Sequence, residues 1–268
     1  MFKKDREGDL PMLLEKIYHE KGWDFRNYKK SSIMRRVSKR LTCLDIHSYK
    51  KYCQYLNDTP HEYEKLFSNL TIKVSEFFRE PEVFGELCGI IKTNFSETVL
   101  KVWCCGCAYG EEAYSAAILL SECLTTDAVK HTKVFATDID GEALDQARKA
   151  QYREESLKNV PPDILEKYFF KADGQYKVKY NIRNLVKFGV LDIVGSPSIS
   201  GVQILFCRNL FIYFNKSLQE QVFEKLDYSL RPGGIIVLGK AEVLPPSFAH
   251  RYSPVGERLN VFRKKVAR

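Results

Sequence analysis

Apolar positions recur at helical spacing through the first third of the chain and switch to short strand-like runs after about residue 98. The stretch DLPMLLEKIYHEKG carries its apolar residues on one side of a helix and closes on glycine, a stop signal. In NYKKSSIMRRVSKRLTCLDI, Ile33, Met34, Val37 and Leu41 line one side of a predicted helix, and Arg35, Arg36, Lys39 and Arg40 lie mostly on the other. The serine pair before it reads as its cap. DIHSYKKYCQYLND and TPHEYEKLFSNLTI predict two more short helices, which makes residues 1–85 an all-α domain.

The second pattern is strand, helix, strand, helix. VLKVWCCG is an apolar strand running into a glycine turn, GEEAYSAAILLSECL a helix, KVFATDID a second strand and GEALDQARKAQY a second helix. That alternation builds a parallel sheet from βαβ units. VQILFCRNLFIYF and GGIIVLGKAEVL predict further strands with the helix SLQEQVFEKLDYSL between them, and LNVFRKK a final edge strand. Between the halves, FFKADGQYKVKYNIRNLVKFGVLDI alternates with turn signals, which suggests a small antiparallel excursion, about residues 155–190, within an α/β domain spanning 86–268.

Composition changes this picture little, charge distribution more. With 44% apolar and 28% charged residues the chain is of ordinary globular make-up. No apolar run approaches the length of a membrane span, and the N-terminus lacks the pattern of a signal peptide, so a cytoplasmic location without membrane insertion is expected. The net charge is +8, and the stretch from Arg26 to Lys51, with nine basic residues and one acid, accounts for all of it. Such a patch is either a solvated helix face or a docking face for an acidic partner.

Candidate chemistry centres on VWCCGCAYGEEAYSAA. Eight cysteines in a chain without an export signal argue against a disulfide framework, and most are expected to be reduced and buried. Cys104 and Cys107 have C-x-x-C spacing, but no second pair exists and the five histidines form no ligand pair. Zinc and dithiol readings therefore fit less well than a cofactor cradle with no metal. A strand that ends in a glycine turn before a helix brings backbone N–H groups close to a ligand, and an acid at the end of the next strand, as in TDID, suits a ribose. G-C-A-Y-G offers little for a diphosphate, so a ribose-bearing ligand without phosphates, S-adenosylmethionine (SAM), fits better.

Five segments then occur together: TIKVSEFFREPEVF, GCAYGEEAYS, ATDIDGEALDQAR, FCRNLFIYF and LRPGGIIVLGKAEVL. In order and spacing the chain resembles the CheR-type chemoreceptor glutamate O-methyltransferases, from about residue 12 to 265. The resemblance implies an α/β, Rossmann-like SAM-dependent methyltransferase sheet with a small antiparallel β-subdomain, preceded by an all-α receptor-docking domain. It implies an enzyme that methylates glutamate carboxylates on the acidic helical bundle of a methyl-accepting chemotaxis receptor, releasing S-adenosylhomocysteine. By position, Arg79 matches the arginine beside the methionyl end of SAM, and Tyr213 the tyrosine facing the active site. Ser75 stands near the cofactor, Gly106 in its turn, and Glu112 and Asp138 on it, with Asp138 at the ribose. Asp192 and Ile193 match the pair near the adenine, and Arg208 and Asn209 the segment beneath the cofactor.

Departures from the family pattern are Ala108, Tyr109 and Ala113 within the GCAYGEEAYS segment, Lys73 for an asparagine on the cofactor, Asp192 for an asparagine, and GKAE where GHSE is usual. Lys73 either pairs with the cofactor carboxylate or points away. Taken singly the residues have plainer readings. Glu112 is then a helix N-terminal acid, Asp138 or Asp140 a cap, Arg79 a surface partner of Glu80 or Glu82, and Tyr213 a core aromatic. Arg35, Arg36, Lys39 and Arg40 would steer an acidic receptor into place. No nucleic-acid partner is expected, since the aromatics near the patch form no base-stacking platform. The protein is expected to act as a monomer. The alternatives are a paralogue acting on another substrate and a non-catalytic SAM-binding adaptor.

Overall fold

Helix α1, Leu10–Lys21, opens with a proline in its first turn and stops where Gly22, at φ 73°, returns its N–H to the Tyr18 carbonyl. Helix α2, Lys30–Cys43, buries Ile33, Val37 and Leu41. Its N-cap is Lys29, and Ser31 and Ser32 sit inside the first turn rather than capping it. The reason is a backbone bond, Lys29 N–H to the Tyr213 carbonyl at 2.7 Å, which fixes where the chain enters the helix. Helices α3, Tyr49–Asp58, capped by Ser48, and α4, Glu62–Leu70, complete the set. The computed structural model describes residues 9–71, 73–256 and 260–266, so the first residues of the expected 1–85 domain lie outside it.

The chain forms two packing units. The helical unit comprises α1 to α4 together with Tyr213–Gln221, a segment far away in sequence. Its core is Leu10, Leu13, Ile17, Phe25, Ile33, Val37, Tyr52 and Leu66, with neighbours of the same kind. Main-chain bonds from Lys29 to Tyr213 and from Asn215 to Asn27, with a bridge between Tyr28 and Phe214, tie the distant segment in.

One buried polar cluster stands out in this unit. Glu62 is fully buried and receives Arg40 through both Nε and Nη2, the latter at 2.6 Å, and the Tyr52 hydroxyl at 2.9 Å. Burial pushes its carboxyl up, but the hydrogen bonds from Arg40 and Tyr52 more than offset this and hold it below the usual range. Of the four basic residues read as one docking face, Arg40 is therefore committed to an internal pair. Arg36 is half-buried and donates to the Asn69 carbonyl, whereas Arg35 and Lys39 face solvent.

The second unit holds helices α5, Pro81–Asn94, α6, Glu111–Cys123, α7, Thr126–His131, and α8, Gly141–Lys149. Further along come α9, Pro162–Tyr168, α10, Tyr180–Arg183, and the end of α11, Lys216–Ser229. Its strands are β1, Lys101–Cys105, β2, Lys133–Asp138, β3, Gln151–Tyr152, β4, Phe169–Ala172, β5, Gln175–Val178, and β6, Val186–Val190. They continue as β7, Val202–Cys207, β8, Leu230–Leu238, β9, Tyr252–Pro254, and β10, Val261–Lys264. The main sheet runs β6-β2-β1-β7-β8-β10-β9, parallel from β6 to β8 and antiparallel at β10 and β9. Four successive residues of β1 are buried, as a central parallel strand covered on both faces requires.

Three strand readings need correction. β7 ends at Cys207, and the following residues turn into a 3-10 helix, Phe211–Tyr213, instead of continuing as strand. β10 lies between β8 and β9, so the short proline-bearing β9 is the edge. The antiparallel excursion exists as β3-β5-β4 and starts earlier, at Gln151, with Asp173 and Gly174 both at positive φ in its hairpin turn.

Six cysteines are free, and Cys104, Cys105, Cys107 and Cys207 are buried. Cys88 and Cys123 form a disulfide between α5 and α6 that nothing in the sequence pattern indicates.

Candidate active site

Strand order reverses direction at β1, since β2 and β6 lie on one side and β7 and β8 on the other. In open α/β sheets the crevice for a ligand forms at such a point, outside the carboxyl ends of the strands. Three predicted site elements end there: the turn after β1, the acid closing β2 and the segment after β7.

The turn after β1 is shaped by main-chain geometry. Gly106 sits at φ 75°, and the N–H groups of Gly106 and Cys107 both donate to the Thr137 carbonyl, at 2.8 and 3.0 Å. Ala108 follows at φ 46°, a conformation unusual for a residue with a Cβ, and its N–H donates to Asp138 Oδ2 at 2.8 Å. Gly110, at φ 89°, precedes α6, and a Cβ there would stand 2.9 Å from that of Ala147 and 3.0 Å from the Phe188 ring. A glycine is thus needed for α6 to approach α8 and β6 this closely. Cys104 and Cys107 are almost fully enclosed, and burial pushes both thiols well above their ordinary range. They pack as small apolar side chains.

Among the described residues, Asp138 uses each oxygen once: Oδ2 takes the Ala108 N–H, and Oδ1 takes the Asp140 N–H at 3.0 Å. Burial pushes its carboxyl up, opposed by those two N–H groups. Its lone pairs are half used, and hydroxyl donors from a ribose would fill the rest. Asp140 is the cap, accepting the Ala143 N–H at 3.0 Å. Lys73 Nζ lies 2.6 Å from Asp140 Oδ2 and so turns toward the loop after β2.

The two glutamates opening α6 diverge. Glu111 is buried, receives the Ser75 hydroxyl, and keeps Oε2 without a partner among the described residues. Glu112 pairs with Arg208 at 3.2 Å. Burial raises its carboxyl, against the pull of Arg208. The Arg208 side chain is fully buried and also binds Glu80 at 2.9 Å and the Arg79 carbonyl at 2.9 Å. Arg79 itself lies between Phe78 at φ 48° and Glu80 at φ 58°. Two left-handed residues flanking one position persist only where the surroundings over-determine them. Here Ser115 Oγ accepts the Phe78 N–H at 2.9 Å while donating to the Glu111 carbonyl, and Arg208 holds the other side. Glu80 is therefore the partner of Arg208, and Arg79 makes no ion pair among the described residues.

Asp192 and Ile193 follow β6. Asp192 Oδ1 accepts the Val194 N–H at 2.9 Å, closing its own turn, and Ile193 is buried. Asn209 adopts φ 60° directly after Arg208. Tyr213 belongs to the helical unit, where its ring lies 5.8 Å from the Arg36 guanidinium. Two residues escaped the sequence reading. Lys225 of α11 donates to the carbonyls of Ile193, Val194 and Ser196. Glu242 accepts three backbone N–H groups around β7 and β8. A lysine within a helical run, and the glutamate that the GKAE segment shares with the family's GHSE, are the signals each left.

The residues fit the donor ligand expected from the sequence. Glu112 and Asp138, half-buried carboxyls that burial pushes up, could accept further hydrogen bonds from an adenosyl ribose and an amino group. Comparison with known proteins agrees. Residues 73–260 match the CheR methyltransferase SAM binding domain, and residues 8–71 match the CheR methyltransferase all-alpha domain. The chemotaxis protein methyltransferase of Escherichia coli K12 is 31% identical over 242 residues, covering 87% of this chain and 82% of that one. Chemotaxis protein methyltransferase 2 of Pseudomonas aeruginosa PAO1 is 31% identical over 241 residues, covering 87% and 86%. Both halves of the fold are matched in the same order over nearly the whole chain, and this protein belongs to the CheR methyltransferase family.

Proposed function

We propose that this protein is a cytoplasmic protein-glutamate O-methyltransferase that converts glutamate carboxylates of a chemotaxis receptor to methyl esters, with SAM as donor and S-adenosylhomocysteine as product. The observation that carries the reading is the convergence of Asp138, Glu112 and Arg208 at the carboxyl ends of β2, β1 and β7, around a glycine turn.

When bound, SAM supplies an activated methyl group on a sulfonium, an excellent leaving group. Asp138 would hold the ribose, and Glu112, Arg208 and the 106–110 turn the methionyl and adenosyl framework. Asp192 and Ile193 would flank the adenine, with Asn209 beneath, and Ser75 would act through Glu111. Lys73, paired with Asp140, would tune the charge beside Asp138. The nucleophile needs no strong base, because a glutamate with a reference pKa of about 4.3 is ionised at neutral pH. The work left to the chain is alignment and exclusion of water. Arg79 would fix the reacting ends, and Tyr213 would donate a hydrogen bond to the incoming carboxylate. In the helical unit, Arg35 and Lys39 face solvent and would meet the acidic receptor surface.

Transfer of labelled methyl from SAM to receptor-rich membranes, with base-released methanol as readout, tests the activity. Asp138→Ala should weaken S-adenosylhomocysteine binding by roughly tenfold or more, the loss of at least one hydrogen bond to a charged group. Unaltered affinity would remove Asp138 from the cofactor site, and no transfer to receptor would remove the proposed substrate.

A further inference from the structure

A buried carboxylate holds the loop after β7. Glu242 is 3% exposed. Its Oε2 accepts the N–H groups of Asn209, at 2.8 Å, and Gly239, at 2.7 Å, and its Oε1 accepts that of Phe211, at 2.7 Å. The fit is tight, since a Cβ on Gly239 would stand 2.8 Å from Oε2 and 2.9 Å from the Asn209 nitrogen. The turn that carries the carboxylate is itself fixed, because Asn260 Nδ2 donates to the carbonyls of Gly239 and Glu242 at 2.8 and 2.6 Å.

A buried carboxylate is costly to keep unless its lone pairs are filled. Here main-chain donors fill them, and two of those donors belong to the loop that begins with Arg208. Asn209 takes a left-handed backbone there, a conformation that asparagine tolerates better than most residues with a Cβ, and Glu242 anchors its N–H. The residue just before it sends its guanidinium to Glu112 and Glu80. Where the loop starts therefore decides whether Arg208 reaches both acids.

We infer that Glu242 is a positioning residue for the cofactor site: by gripping the N–H groups of Asn209 and Phe211 it sets the loop from which Arg208 and Asn209 serve the cofactor. The inference rests on the cofactor reading proposed above.

Glu242→Gln is the test. The amide keeps the shape but exchanges one acceptor oxygen for a donor, so at least one N–H group faces another donor. Titration calorimetry with S-adenosylhomocysteine, well below the melting transition, should show binding weakened roughly tenfold or more. The KM for SAM should rise with it, while the KM for receptor stays constant. Asp227→Asn is the control, removing a buried carboxylate that serves Arg251 and Tyr252, and should lower stability while leaving affinity intact. Equal affinity of Glu242→Gln and wild type, or an equal loss in Asp227→Asn, overturns the inference. Should Glu242→Gln fail to fold, amide exchange of the ligand-free wild type decides. Slow exchange at Asn209 and Phe211 supports the grip, and exchange at open-loop rates refutes it. A wild-type protein that binds no S-adenosylhomocysteine would instead overturn the cofactor reading, and the inference with it.

Discussion

Gly110→Ala probes whether the cradle depends on close approach of its backbone. The residue has φ 89° and ψ 0°, and an added methyl would meet Ala147 at 2.9 Å and the Phe188 ring at 3.0 and 3.1 Å. Two costs combine. Holding an L residue in a left-handed conformation costs about 1–2 kcal/mol. Forcing a methyl into packed surroundings costs about 1–3 kcal/mol more. The expected loss is thus about 2–5 kcal/mol, a large part of the ~5–15 kcal/mol by which domains are stable. Gly174 supplies the control. It has φ 72° in the hairpin turn, with nothing within 4 Å of an added Cβ, so Gly174→Ala should lose only the backbone part, about 1–2 kcal/mol. Urea denaturation followed by fluorescence of the buried Trp103, with Trp23 replaced by Phe, measures both. Equal losses at equal m-values would refute the claim that packing against α8 and β6 dictates glycine at 110.

Glu62→Gln should destabilise the helical unit by about 3–5 kcal/mol at neutral pH, because Arg40 is left without its counter-charge. The Glu62 carboxyl is held below its ordinary value, so its contribution is present above the unfolded-state pKa and disappears as pH falls through the lower folded one. The gap between wild type and variant in thermal melts should therefore close in acid, and a constant gap would contradict the pairing. A thiol reagent should modify exposed Cys43 first and reach Cys104, Cys107 and Cys207 only after denaturant is added, as mass spectrometry of the labelled peptides would show. Early labelling of Cys104 or Cys107 would contradict their place in the core. Reversing Arg35 and Lys39 to glutamate should raise the KM for receptor at low salt without altering the melting temperature, whereas Arg40→Glu should lower stability. The same effect from all three on melting would place them in one internal network.

Much of the fold was legible because periodicity is local. The spacing of Ile33, Val37 and Leu41, the apolar run of β1 and the Asp173–Gly174 turn each announce their structure within a few residues. The acid closing β2 could be placed for the same reason, since strand and turn adjoin it. What stayed hidden depends on residues far apart in the chain. Arg40 read as part of a solvated face because its partner is in another helix. Lys29, not the serine pair, starts α2 because of Tyr213. Glu242 and Lys225 act on main-chain atoms of distant loops, and a backbone N–H or carbonyl leaves no mark in a side-chain pattern. The edge position of β9 was missed because a proline-bearing run of three residues carries no alternation to detect.

The membership of Tyr213–Gln221 in the helical unit has a practical corollary. A fragment cut at the obvious junction near residue 72 would omit Phe214 and the main-chain partners of Asn27 and Lys29. Such a truncation would expose the ring of Tyr28 and leave polar backbone unpaired, so an excised front half is a poor reagent for receptor pull-downs. Grafting the missing nine-residue piece back through a short linker would be the sounder design.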